Sequence, residues 1–278
     1  MKLKLKILKF LLIIFLLSFF SCNIEKQLAT KFVDSSNQIS LLILEPDVLF
    51  KENLKTDEIP NYELLDTNQR DSLLLLKSKF LQHVNDSAFL SNYSISLENE
   101  LKKYGFKVYT SSMLESFLLI DTLAYIFDIS QIELEEYLYT KRKSERFNYE
   151  LYYKDFDLNA VALNAWIDFK KLNDNKNSTE VLFCNHFVSD KISGKFKKYA
   201  LLDSAKFVYK RRNMLIGRVN NLSIYAGRKH AAYIFDYLMN DFIDIELNGV
   251  HRETEYFHYD PLNNILEPAG DKKFILMK

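Results

Sequence analysis

With 278 residues, 48% of them hydrophobic and 14% aromatic, the chain can bury a sizeable core, and its 6 glycines and 4 prolines argue against a turn-dense β-barrel or a glycine-rich phosphate loop. The 37 basic and 37 acidic residues balance, but residues 1 to 21 hold four lysines and no acid, so the rest of the chain is mildly acidic, net −4. That average argues against nucleic acid or a large anionic membrane patch as partner, and two cysteines, Cys22 and Cys184, are too few for a disulfide framework.

Lys2, Lys4, Lys6 and Lys9 precede an apolar run from Phe10 to Phe20 that ends in Ser21-Cys22. A basic segment followed by about eleven apolar residues is the layout of a secretory signal, and it falls short of the ~20 residues of a bilayer-spanning helix. The end of the run resembles the bacterial lipoprotein signal, in which a small residue precedes a cysteine that becomes the lipid-modified first residue of the mature chain. Phe19 stands where that family usually has an aliphatic residue, and Phe-rich signals ending in Ser-Cys are of the Bacteroidota type. The resemblance implies a signal peptide over residues 1–21, acylation of Cys22 and a lipid-anchored place in the cell envelope. Because Asn23 and not Asp follows the cysteine, it points to the outer membrane, facing the periplasm. An ordinary signal peptide without lipid, and an uncleaved N-terminal helix with Cys22 as a plain thiol, are the alternatives. With Cys22 acylated, Cys184 has no partner and is expected in the core.

Residues 22–38 show no sustained period and read as a tether. Ile39 to Leu44, closed by Glu45-Pro46, reads as a buried first strand. Leu73, Leu76, Phe80, Leu81 and Val84 recur at helical spacing and predict a helix over 67–84. A second helix is capped by Asp86 or Ser87, carries Leu90, Tyr93, Leu97, Leu101 and Tyr104, and stops at Gly105. Phe106 to Tyr109 reads as a strand, and Met113, Leu114 and Phe117 as a short helix. Tyr125 to Tyr139 and Tyr149 to Phe169 are long strand-like stretches; in the second, Val161 to Phe169 alternates as a half-buried antiparallel strand. Asn173 to Ser178 is a turn cluster, and Val181 to Val188 a strand pairing back across it. Phe196 to Tyr209 reads as one more strand, interrupted near Asp203, followed by a basic connector over 210–221. Asn221 or Ser223 opens the strongest helix, with Ile224, Ala231, Phe235, Leu238 and Phe242 on one face, ending near Asn248-Gly249. The tail, 250–278, reads as loosely structured, with a short strand at Phe274 to Met277 that can dock on the sheet edge.

This order predicts an α/β (α+β) fold, a mixed, largely antiparallel sheet layered with helices, as a single domain over 39–249. It faintly resembles the α/β domain related to the TolB N-terminal domain that envelope lipoproteins of the curli-secretion, penicillin-binding-protein-activator and transporter-auxiliary type share.

No catalytic residue, metal or cofactor is read from the sequence. His251, Glu253 and Glu255 would share one face if they lay on a strand, giving three zinc-type ligands; a solvated tail is the plainer account. Glu133, Glu135 and Glu136 form an acidic patch suited to acid–base work only if one is desolvated. Trp166 with Asn164 and Asn159 could line a sugar-binding groove, an indole face and amides suiting carbohydrate; a core Trp is the alternative. Arg228 and Lys229 form one basic spot and the run Lys210 to Arg212 another; either could meet an acidic partner or an anionic lipid head group near the anchor, and ordinary exposed lysines and arginines near a turn are the plainer account. The expected role is a non-enzymatic accessory or assembly subunit that binds another envelope protein. The alternatives are a glycan- or small-ligand-binding lipoprotein and, behind it, a hydrolase.

Overall fold

The computed structural model describes residues 24–59, 62–147, 149–172, 180–199 and 204–277. The N-terminal signal with Cys22, and the turn cluster Asn173 to Ser178, lie outside them. In chain order the elements are α1 (Ile24–Ser35), β1 (Ser40–Leu44), β2 (Leu49–Asn53), α2 (Thr67–Lys77), α3 (Asp86–Lys103), β3 (Lys107–Thr110), α4 (Leu114–Leu118), β4 (Ala124–Phe147) and β5 (Glu150–Lys171). Next come β6 (Glu180–Ser189), β7 (Lys191–Tyr199), β8 (Ser204–Arg212), α5 (Ile216–Leu247), β9 (Tyr256–Asp260), β10 (Ile265–Ala269) and β11 (Ile275–Met277). The fold is α/β, a mixed and largely antiparallel sheet with packed helices. The chain divides into two compact units, Gln38–Tyr233 with Lys273–Lys278, and the described part of Met1–Asn37 with Ile234–Lys272.

In the larger unit, seven strands form one sheet in the order β11-β6-β5-β4-β1-β3, with β2 also paired to β4. β4 runs parallel to β1 over its first residues and to β2 further on, and antiparallel to β5. Strand alternation sorts the sheet into two faces. Ile132 and Leu134 of β4, Leu163 and Ala165 of β5, and Leu182 and Cys184 of β6 are all buried on one of them. His186 on that face stacks with His230 and Tyr233 of α5, which places the long helix there. Gly227 lets α5 approach α3, because a Cβ at that position would lie 2.4 Å from the carbonyl oxygen of Tyr93.

The helix expected over 67–84 stops at Lys77, and Leu81–His83 forms a separate 3-10 turn. The cause is Glu136, whose carboxylate accepts the backbone N–H groups of Lys79, Phe80 and Leu81 at 2.8, 2.8 and 3.2 Å. Donors committed to that carboxylate cannot extend α2. α3 is capped by Asn85, which accepts from the N–H of Ala88, one residue ahead of the Asp86 or Ser87 cap expected, and Gly105 follows it at φ +94°. α5 starts at Ile216, ahead of Asn221, because Val219 and Leu222 extend its buried stripe backwards. The basic run Lys210 to Arg212 therefore belongs to β8, which pairs with β7 as a hairpin where a single interrupted strand was expected.

In the smaller unit, residues 24–35, expected as part of the tether, form α1. Its buried residues Glu25, Ala29 and Phe32 are at helical spacing, but one of the three is a carboxylate, so the apolar period is broken in sequence. Phe32 meets Phe235 edge-on at 5.4 Å, and Glu25 accepts the N–H groups of Glu253 and Thr254 at 2.5 and 2.9 Å. The tail also carries regular structure. β9 and β10 pair antiparallel, and Asn240 fixes β9 by bonding both the N–H and the C=O of Phe257. The terminal strand docks on the sheet edge as expected, β11 pairing with β6 in the larger unit.

Candidate functional site

Among the described residues, the second face of the sheet is packed at its two ends, and between them its aromatic and acidic side chains are partly exposed while Ala160, Ala162 and Asn164 of β5 are buried. At one end Phe117 of α4 packs on Leu42 and Ala124. At the other, Ile192, Phe196 and Phe207 of the β7–β8 hairpin pack on Phe156 and Leu158 of β5. Between these ends β5 presents Ala160, Ala162, Asn164 and Trp166, β4 presents Gln131, Glu133, Glu135 and Tyr137, and β6 presents Phe183, Asn185 and Phe187. Parallel pairing of β2 adds Phe50 beside Glu133 and Glu52 beside Glu135. A β-bulge between Ile129 and Gln131 resets the register so that Gln131 stands opposite Trp166.

The open face joins three chemistries. Its aromatic part sets Trp166 and Phe183 with ring centroids 5.0 Å apart, and Tyr139 and Phe187 at 5.6 Å. Its amide part is Asn164, 5% exposed, whose side-chain oxygen accepts from Asn185 at 2.5 Å. Its acidic part is Glu52, Glu133 and Glu135, whose carboxylate oxygens lie within 4.8 Å of one another. Burial and then the charges of Glu135 and Glu52 hold the Glu133 carboxyl above its ordinary range. Burial, then Glu135, also pushes the Tyr137 phenol up. The face can stack an apolar or sugar ring and hold a cation beside it.

Of the residues singled out from sequence, Trp166, Asn164, Glu133 and Glu135 meet here, while Arg228 and Lys229 do not. Both are exposed on α5, on the opposite side of the sheet, with the Lys229 ammonium 5.9 Å from the Tyr225 ring. Glu136 leaves the acidic patch, because alternation turns it inward to a fully buried ion pair with Lys55 at 2.7 Å. Asn159 points away from Trp166 and binds Asp190 through its backbone and side-chain N–H groups. His251, Glu253 and Glu255 lie before β9 begins and not on a strand, so the alternation that would have aligned them is missing. Glu52, Phe50, Phe183, Asn185 and Phe187 were not singled out; the alternation of β6 was the available signal for three of them. No family model and no curated protein matches this chain.

A second polar cluster lies on the helix-covered face. The Tyr93 hydroxyl and His230 Nδ1 are 2.7 Å apart, and His230 stacks on His186 at 5.2 Å. Among the described residues, the Nε2 atoms of both imidazoles are buried without a hydrogen-bond partner. Burial, helped by Lys229, lowers His186 to about 4, and burial followed by His186 lowers His230 well below its ordinary value. Burial likewise raises the Cys184 thiol to about 12. At neutral pH the cluster is uncharged, and Cys184 is a small core residue with no thiolate character.

Proposed function

We propose that this chain is a lipid-anchored protein of the cell envelope, held through acylated Cys22 at the outer membrane and facing the periplasm. Its open sheet face binds another envelope protein, in an accessory or assembly role without catalysis. The observation that carries the reading is the exposed apolar area of that face: Phe50 is 48% exposed, Phe187 49% and, on the flanking β11, Ile275 61% and Met277 45%. Aromatic side chains displayed together beside a few polar groups are the composition of a protein-binding patch. Two residues with photo-crosslinking side chains, placed at Phe187 and Phe50 in cells, should give the same single adduct. Adducts no stronger than those from exposed Arg146 on the distal part of β4 would remove the partner reading. Acyl labelling of the chain should vanish in Cys22→Ala; labelling that persists would remove the anchor.

A second reading, carbohydrate binding, is favoured by the Trp166–Asn164–Asn185 group. Trp166 is the chain's single tryptophan. Its fluorescence therefore reports this face alone: an oligosaccharide-dependent change abolished in Asn164→Ala would favour the glycan, and a flat titration would exclude it.

A further inference from the structure

The β7–β8 hairpin has an inner and an outer face, and the outer one carries charge of a single sign. Register pairs Lys191 with Arg212, Ser193 with Lys210, Lys195 with Val208 and Lys197 with Lys206. The opposite side chains, Ile192, Phe196 and Phe207, are buried against β5, so these eight residues point outward. Lys191, Lys195, Lys197, Lys206, Lys210 and Arg212 are all exposed. Among the described residues, none of these six shares an ion pair or hydrogen bond with another side chain. None of the eight outward residues is a carboxylate. Two of the directly opposed pairs, Lys191 with Arg212 and Lys197 with Lys206, set like charges against each other, which weakens a ribbon of two strands. A surface that disfavours its own fold in this way is matched by an anionic partner.

We propose that the outer face of the β7–β8 hairpin is a docking surface for an anionic lipid bilayer, through its phosphate head groups. Charge complementarity requires an anionic occupant, and the residue types choose among anions. Five of the six cations are lysines, flexible point charges suited to a diffuse anionic plane and not to bidentate recognition of a fixed group. Phe196 and Phe207 pack inward and Tyr209 lies 4.8 Å from Phe156, so the outer face has no stacking platform for single-stranded nucleic acid. Lysine is also depleted from the cores of protein interfaces. Val208, 43% exposed among the lysines, supplies a small apolar contact between head groups. The proposal goes beyond the anchor, giving the folded domain an electrostatic contact of its own with the membrane.

The full chain is reconstituted in vesicles of phosphatidylcholine with or without phosphatidylglycerol, and its lysines are labelled with an amine-reactive acetyl donor and read by mass spectrometry. Lys191, Lys195, Lys197, Lys206 and Lys210 are expected to be protected about fivefold or more by phosphatidylglycerol, with protection lost at high salt. Lys102 and Lys103 on α3 serve as the unprotected reference. The double variant K197E/R212E turns both like-charge pairs into opposite pairs, so it should unfold at a higher temperature while losing the protection. A merely structural role predicts no such opposition. Equal labelling in the two vesicle types, or protection retained in K197E/R212E, overturns the proposal. So does protection by an oligonucleotide or an acidic peptide where phosphatidylglycerol gives none. Acyl labelling at Cys22 is read separately, so failure of the anchor and failure of the docking face are distinguishable.

Discussion

Glu135 and Glu136 are neighbours in sequence and have opposite fates. Glu136 is on the helix-covered face, where Lys55 and three backbone N–H groups meet its carboxylate. Glu135 is on the open face beside Glu133 and Glu52, with acids for neighbours. The covered face therefore uses a charge to fix structure, ending α2 and seating the segment after it. The open face leaves its charges available. A polar group in a sheet reveals its role through what compensates it, and one residue of register decides which face supplies that.

The sharpest way to break the contrast is Glu136→Ala, which strands the Lys55 ammonium and three N–H donors; a loss of ~3–5 kcal/mol is expected in urea unfolding. Gly227→Ala tests the packing of the same face. Its new methyl would sit against the Tyr93 carbonyl, so α5 must shift from α3, with a loss of about 1–3 kcal/mol and an intact secondary-structure spectrum.

Acid tests the covered face again. His186 and His230 are held neutral when folded and take up protons at ordinary values when unfolded. Their contribution is complete above pH ~6.5 and is lost as pH falls toward the folded value, about 4 for His186. The unfolding temperature should fall across that window, and the His186 ring resonances should not titrate near 6.5. The smallest effect belongs to the open face: Glu133→Gln should stabilise the protein by roughly 0.2–1 kcal/mol, since it relieves repulsion and breaks no bond. A destabilisation there would mean that Glu133 is structural after all.

Much of the architecture was legible. α3 carried its stop signal, though its cap is Asn85 and not Asp86 or Ser87, β5 carried its alternation, and β11 its short terminal run. The legible part of the site was Trp166, Asn164, Glu133 and Glu135, each named for a separate reason. Their meeting on one face depends on the register of β4 against β5 and on the bulge after Ile129, and a bulge leaves no period to read. α1 was hidden because a buried carboxylate, Glu25, occupies a core position and interrupts the apolar pattern. Charge was hidden differently: acidic and basic residues nearly cancel along the chain, while the outer face of β7–β8 gathers six cations through alternation in two strands whose pairing is itself tertiary.

The fold class, most of the helices and strands and the dock of the last strand follow from local periodicity and from residues acting within a few positions. Which carboxylates are sealed and which are open, where α2 ends, and that one ribbon face bears charge of a single sign are set by long-range packing. Those outcomes depend on partners far away in the chain, such as Lys55 for Glu136 and Tyr93 for His230, and on a strand register that no local signal fixes.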